Sequence, residues 1–284
     1  MRAQQAVRPA NRSKLVEFLR EQRAVSDQVV VKDPRSVWFQ QLWREACAEA
    51  DFDIKYISML RHPAEVIGSR TTYYSDSENS DEKQRRYQAL TLARWINNSL
   101  INERATRGYS RAFVGYDELL TDWRKVATRL QDEFDLRYAT NVEPGTHHAV
   151  DDFIDPDLRR HRVTWQELDL PEYLQSMAEQ VWDLLQVLAE HGGVDEESSK
   201  RLDEIATSYA GVLNDAIGIS QDAVLELIED ARENAINEYR AELTIRQSDE
   251  QAAQDVQGMR VGEVGSRDLL RVIASRAKRK LTRA

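Results

Sequence analysis

Lys32 and Arg61 are the residues of this chain best placed to hold an anion, and both sit in the same local design. Each follows a short apolar run, 29–31 and 56–60, and each is followed two residues later by a proline, Pro34 and Pro63. A proline suits the first turn of a helix, because its missing N–H would have no intrahelical partner there. Each unit therefore predicts a strand, a cation and a helix start. The free N–H groups and positive dipole end of a helix attract anions, and a neighbouring Lys or Arg adds formal charge. Two such junctions at neighbouring strand ends would make an anion pocket. Ser69 comes eight residues after Arg61, a little over two turns at about 3.6 residues per turn, so its hydroxyl returns to the side the arginine faces.

The elements that must position these residues follow from the pattern. The run 29–31 is wholly apolar, as expected of a strand inside a parallel sheet covered on both faces. Asp33 is placed to cap the helix opened by Pro34, whose apolar side includes Val37, Trp38, Leu42 and Ala46. With a strand at 55–60 this makes a βαβ unit, right-handed in ~98% of cases, and puts Lys32 and Arg61 on the carboxyl edge where open α/β folds bind ligands. Before it, Ser13 can cap a helix running to about Arg23, with Leu15, Phe18 and Leu19 as its stripe. After it, 75–83 has no apolar residue and reads as an exposed connector or a flap over a site.

A helix is expected over 84–107 with Tyr87, Leu90, Ala93, Ile96 and Leu100 on one face and Gly108 at its end. A third strand, 112–116, ends on Tyr116 and leads into a helix bearing Trp123, Val126, Leu130 and Phe134. The irregular stretch 141–162 ends in the basic patch Arg159, Arg160, His161 and Arg162. Asp169 and Pro171 open a helix with Leu174, Met177, Val181, Leu184 and Leu188, closed by Gly192 and Gly193.

These residues resemble one family. Sulfotransferases that use 3′-phosphoadenosine-5′-phosphosulfate carry an arginine at a strand end and a serine eight residues later, and Arg61 and Ser69 match those positions. The segment VVVKDPR resembles the strand and lysine before the reaction centre, AFVGYDELL a later strand followed by tyrosine, and FIDPDLRRHR a segment common in the bacterial branch. Together the match covers about 29–191. It implies that Arg61 and Ser69 grip the 3′-phosphate, that Tyr116 contacts the adenine, and that Arg159 and Arg160 complete the phosphate site. It implies an α/β fold, a three-layer P-loop-like parallel sheet flanked by helices, followed by an all-α C-terminal extension.

The family's first strand and its glycine- and serine-containing 5′-phosphosulfate loop have no counterpart in 1–28, which holds no glycine. The expectation is a sulfotransferase domain shortened at its N-terminus, with an unpaired sheet edge and marginal stability unless the N-terminal helix covers the gap. Sulfuryl transfer needs charge stabilised on the transferred group and a proton removed from the acceptor. Lys32 is the candidate for the first task. For the second, many eukaryotic cytosolic members use a histidine two residues after the matching lysine, where this chain has Pro34. The acceptor would be a hydroxyl or amine of a carbohydrate, lipid or small metabolite. The alternative is a noncatalytic nucleotide-binding relic, or a fragment, whose helical tail serves assembly.

Composition bounds the rest. With 284 residues, 41% hydrophobic and 31% charged, the chain can bury a sizeable core. The expected divisions are an N-terminal tail and helix (1–28), the α/β domain (29–192), an acidic helical extension (193–246), a linker (247–265) and a basic amphipathic helix (266–284). Within the extension, Leu202, Ile205, Tyr209 and Val212, then Val224, Leu227, Ala231 and Leu243, read as a helical hairpin. The last segment suits an anionic membrane surface, a partner protein, or the acidic segment before it.

A net charge of −10 argues against nucleic acid as partner. The one cysteine, Cys47, excludes an intrachain disulfide, and the five histidines lack metal-ligand spacing. No stretch approaches the ~18 apolar residues of a membrane span, so a cytoplasmic setting is expected. Homo-oligomerisation is left open.

Overall fold

The computed structural model describes residues 9–74, 81–154 and 163–258. In order these form α1 (Pro9–Val25), a 3₁₀ helix (Pro34–Phe39), α2 (Gln40–Glu49), β1 (Tyr56–Leu60), α3 (Pro63–Tyr74) and α4 (Asp81–Thr106). Then come β2 (Arg111–Gly115), α5 (Tyr116–Thr121), α6 (Trp123–Phe134), α7 (Ala149–Phe153), α8 (Glu172–Glu190) and α9 (Glu196–Gly258). The fold is mostly helical around a two-stranded parallel sheet, with an all-helical C-terminal region. The chain divides into two units, Met1–Val212 and Leu213–Ala284.

Strands β1 and β2 pair in register from Tyr56 with Arg111 to Leu60 with Gly115, and α3 and α4 form the crossover. Period-two alternation sends the side chains of β2 to opposite faces. Phe113 joins the main core with Leu92, Ile96 and Leu100 of α4 and Val181, Leu185 and Leu188 of α8. Ala112 and Val114 pack on the other side against Val126, Leu130 and Phe134 of α6. Helices therefore cover β2 on both faces, which is why its run reads as continuously apolar.

A carboxylate ties this centre together. Glu103 of α4 is 1% exposed, and its oxygens lie 2.5 Å from Arg107 Nη2 and 3.1 Å from Arg111 Nη2 of β2. Ser199 Oγ of α9 donates to Glu103 at 3.1 Å, and Arg111 Nε donates to the Gly193 carbonyl at 2.8 Å. Asp203 binds Arg107 and Arg104, each at 2.7 Å. The Arg107 hydrogen bond holds Asp203 below the usual carboxylate range, and Glu103 followed by Asp203 pushes Arg107 up.

Several expectations are corrected. Residues 29–31 belong to no strand, and Val30 is 80% exposed. Among the described residues β1 pairs with β2 alone, so the sheet has two strands where a larger parallel sheet was expected. Pro34 opens a 3₁₀ helix that runs into α2, with Asp33 capping it by accepting from Arg35 N at 2.9 Å. Helix α1 spends its buried face, Val16 and Leu19, on Ala46, Cys47 and Ala50 around α2. Phe18 of the expected stripe is exposed.

On α4 the buried face carries Gln88, Thr91 and Glu103 beside Leu92, Ile96 and Leu100, and Leu90 is exposed. The polar members are buried because they have partners; Thr91 Oγ1, for example, donates to the Tyr87 carbonyl at 2.8 Å. The expected hairpin and the first part of the expected linker are one uninterrupted helix, α9. Gly211 and Gly218 do not break it, since glycine inside a helix costs only about 1 kcal/mol.

Removing the buried carboxylate with Glu103→Ala strands the Arg111 guanidinium, 4% exposed, without its charge partner. The expected loss is about 3–5 kcal/mol, read from urea unfolding. Stability should also fall with acid. Asp203 is depressed when folded, so its contribution is present above its unfolded value of 3.8 and is lost as pH drops through the lower folded value.

Candidate functional site

The carboxyl end of β1 leads directly into the site. Leu60 is buried in the main core, which anchors the strand end, and Arg61 and His62 form the two-residue junction before Pro63 opens α3. His62 Nδ1 accepts the Ala64 N–H at 3.3 Å, and its ring meets Trp165 and Trp182 edge-on at 5.5 and 5.3 Å between centroids. The junction is thereby held from below. On the other side, the segment before the 3₁₀ helix carries Lys32.

Lys32 and Arg61 line the same cavity, of about 500 Å³. Its remaining walls are the free side of β1, including Ser58, and one face of α4 with Arg94, Asn98 and Asn102. The lining charges are three cations, Lys32, Arg61 and Arg94, against one carboxylate, Asp33. Asp33 is already engaged: Arg35 binds it at 2.9 Å, and the Arg35 hydrogen bonds hold it below the usual carboxylate range. The cavity is therefore electropositive, and its size falls within the roughly 300–1,000 Å³ of ligand pockets. A smaller cavity of about 160 Å³, lined among others by Leu19, Trp43, Cys47 and Phe52, is mostly apolar where it meets the α1–α2 core.

Arg61 is oriented by two neighbours. Its guanidinium carbon lies 4.7 Å from the centroid of the Tyr116 ring, and its Nε is 3.4 Å from Glu65 Oε2 one turn along α3. Glu65 is buried, so its charge is weakly screened and competes with any added anion. It occupies only the Nε side. Among the described residues no other hydrogen bond falls on the terminal guanidinium nitrogens, which is the fork that binds phosphate oxygens in pairs.

Of the site residues expected from sequence, the structure brings together Lys32 and Arg61 on one cavity and Tyr116 against Arg61. Tyr116 starts α5 instead of ending β2, because Gly115 is the last paired residue. Ser69 is half-buried in α3 and does not appear among the residues lining the cavity. Arg159 and Arg160 lie outside the described residues. Sequence reasoning missed Arg94, Asn98 and Asn102. The signal was their spacing of four, which puts all three on one helical face, opposite Ile96 and Leu100. Asn102 Nδ2 donates to Ser58 Oγ at 2.7 Å, joining α4 to β1 across the cavity floor.

No protein-family model, curated protein or solved structure matches this chain. Among the described residues there is no cluster of three or more metal-ligating side chains, and no helix long and apolar enough to cross a membrane.

The helix behind Arg61 is packed tightly. A Cβ on Gly68 would stand 2.3 Å from Val163 Cγ2, too close for any carbon pair. Gly68→Ala is expected to force α3 and the chain at Val163 apart, at a cost of about 1–3 kcal/mol, seen as a lower urea midpoint. An unchanged midpoint would show that this contact yields freely.

Proposed function

We propose that the cavity beside β1 binds a doubly phosphorylated adenosine nucleotide, and that the chain acts as a sulfotransferase-like protein on 3′-phosphoadenosine-5′-phosphosulfate. The observation that carries the reading is that Lys32 and Arg61, far apart in sequence, line one electropositive cavity, with Arg94 as a third cation. In this reading Arg61 holds a phosphate through its terminal nitrogens, Tyr116 stacks behind the guanidinium, and Lys32 faces the group transferred.

The reaction breaks the bond between sulfur and the 5′-phosphate oxygen and forms one between sulfur and the acceptor oxygen or nitrogen. The acceptor proton leaves to a base, and adenosine 3′,5′-bisphosphate is the other product. Lys32 would neutralise charge growing on the leaving oxygen. The two-stranded sheet would be the described part of a layered P-loop-like arrangement, in a protein of the cytoplasm. A hydroxyl or amine of a carbohydrate, lipid or small metabolite would be the acceptor.

A second reading, binding without turnover, is favoured by one feature. The carboxylate beside Lys32, Asp33, is taken up by Arg35 and by the cap of the 3₁₀ helix, so it is poorly placed to remove the acceptor proton.

Calorimetry with adenosine 3′,5′-bisphosphate tests the shared core of both readings. Binding is expected, with at least a tenfold loss, about 1.4 kcal/mol, in Arg61→Ala at unchanged circular dichroism. No binding by the folded chain would remove both. Turnover of the sulfate donor separates them: loss in Lys32→Ala supports the enzyme, persistence removes Lys32 from the chemistry, and absence of turnover in the unaltered chain leaves binding alone.

A further inference from the structure

Within the second unit, α9 carries an apolar stripe that is exposed along its whole described length. Leu213, Ile217, Val224, Leu227, Ile228 and Tyr239 are 45–67% exposed, with Leu227 at 67% and Tyr239 at 62%. The stripe repeats at eleven residues: Leu213, Val224 and Ala235; Ile217, Ile228 and Tyr239; and the small pair Ser220 and Ala231. Eleven residues over three turns is about 3.67 per turn, so the stripe stays on one side of a nearly straight helix. From 213 to 239 it runs for about 39 Å at about 1.5 Å per residue.

We propose that this stripe is a homotypic seam along which two copies of the chain pair helix to helix. Charge placement selects a second copy as the occupant. Of the seven carboxylates in 213–239, Asp215, Asp222, Glu226, Glu229 and Glu233 lie on the far side of α9, roughly 140–200° from the stripe at about 100° per residue; Asp230 lies on a flank, and Glu238 falls on the stripe at its C-terminal end. Two copies meeting stripe to stripe keep the far-side carboxylates pointing outward and apart. The other candidate occupant is the basic segment 259–284, with eight Lys and Arg against two acidic residues. Its cations would gain little on the stripe, because five of the seven carboxylates in 213–239 stand across a helix about 10–12 Å wide, beyond a screening length of about 8 Å.

The area agrees with a modest dimer. Six large half-exposed side chains and their small neighbours remove roughly 500–700 Å² per copy, about 1,000–1,400 Å² in total, at the low end of specific interfaces. Association should therefore be reversible and concentration-dependent, in the micromolar range that interfaces of this size reach without deeper anchors.

Sedimentation equilibrium of the full chain tests this. The expected mass rises from 32.8 kDa when dilute toward twice that when concentrated. The double substitution Ile217→Glu with Ile228→Glu should stay monomeric at every concentration with its far-ultraviolet circular dichroism unchanged, since glutamate is a good helix former. Ile219→Glu, at an 87% exposed position off the stripe, should dimerise as before. The proposal is overturned if the unaltered chain stays at 32.8 kDa throughout, if the double variant still dimerises, or if removal of 259–284 abolishes association.

Discussion

The structure depends on a buried carboxylate that must not be left without its cations. Glu103 brings α4, β2 and the first turn of α9 to one point, and its partners are Arg107 in the turn after α4, Arg111 of β2 and Ser199 of α9. A buried ion pair contributes little net stability compared with apolar packing, yet it is costly to break, so it acts mainly on specificity. Here it fixes where β2 lies. Because β1 has no other described sheet partner, fixing β2 also fixes β1, and with it the direction in which Arg61 leaves the strand. Interaction, sheet and site form one chain of dependence.

The site itself is a balance of charges. Three cations line the cavity, and the one lining carboxylate is neutralised by Arg35. Glu65 takes one edge of Arg61 from outside the lining and, with the Tyr116 ring, sets the plane of the guanidinium. Such orientation reduces the rotamer entropy that an arginine loses when it grips a ligand. The polar face of α4 then supplies neutral amides at the depth of the cavity, where a ligand's hydroxyls or ring nitrogens would come to rest.

Much of this was legible in the residues. The strand at β1, its arginine, the proline-opened α3 and the cap at Asp33 all follow from local chemistry, and the structure shows each of them. What was not legible depended on long-range pairing. Three consecutive valines read as a buried strand, but a strand needs a neighbour, and 29–31 has none among the described residues. The face of α4 was misread because Gln88, Thr91 and Glu103 are buried by hydrogen bonds and ion pairs that no periodicity of apolar residues reports. Two separate apolar patterns, 202–212 and 224–243, suggested a hairpin that the uninterrupted helix α9 does not make. Arg94, Asn98 and Asn102 became meaningful only once the cavity placed Lys32 opposite them.

The account rests on Lys32, Arg61 and Arg94 acting on one ligand. Its most direct test is a nuclear magnetic resonance titration with pyrophosphate, following the Arg61 and Arg94 Nε signals, the Lys32 backbone amide and the Asn98 and Asn102 side-chain amides. The account predicts that these signals move together along a single saturable curve. Movement confined to the basic residues after 258, or no saturable movement at Arg61 and Lys32, would contradict it.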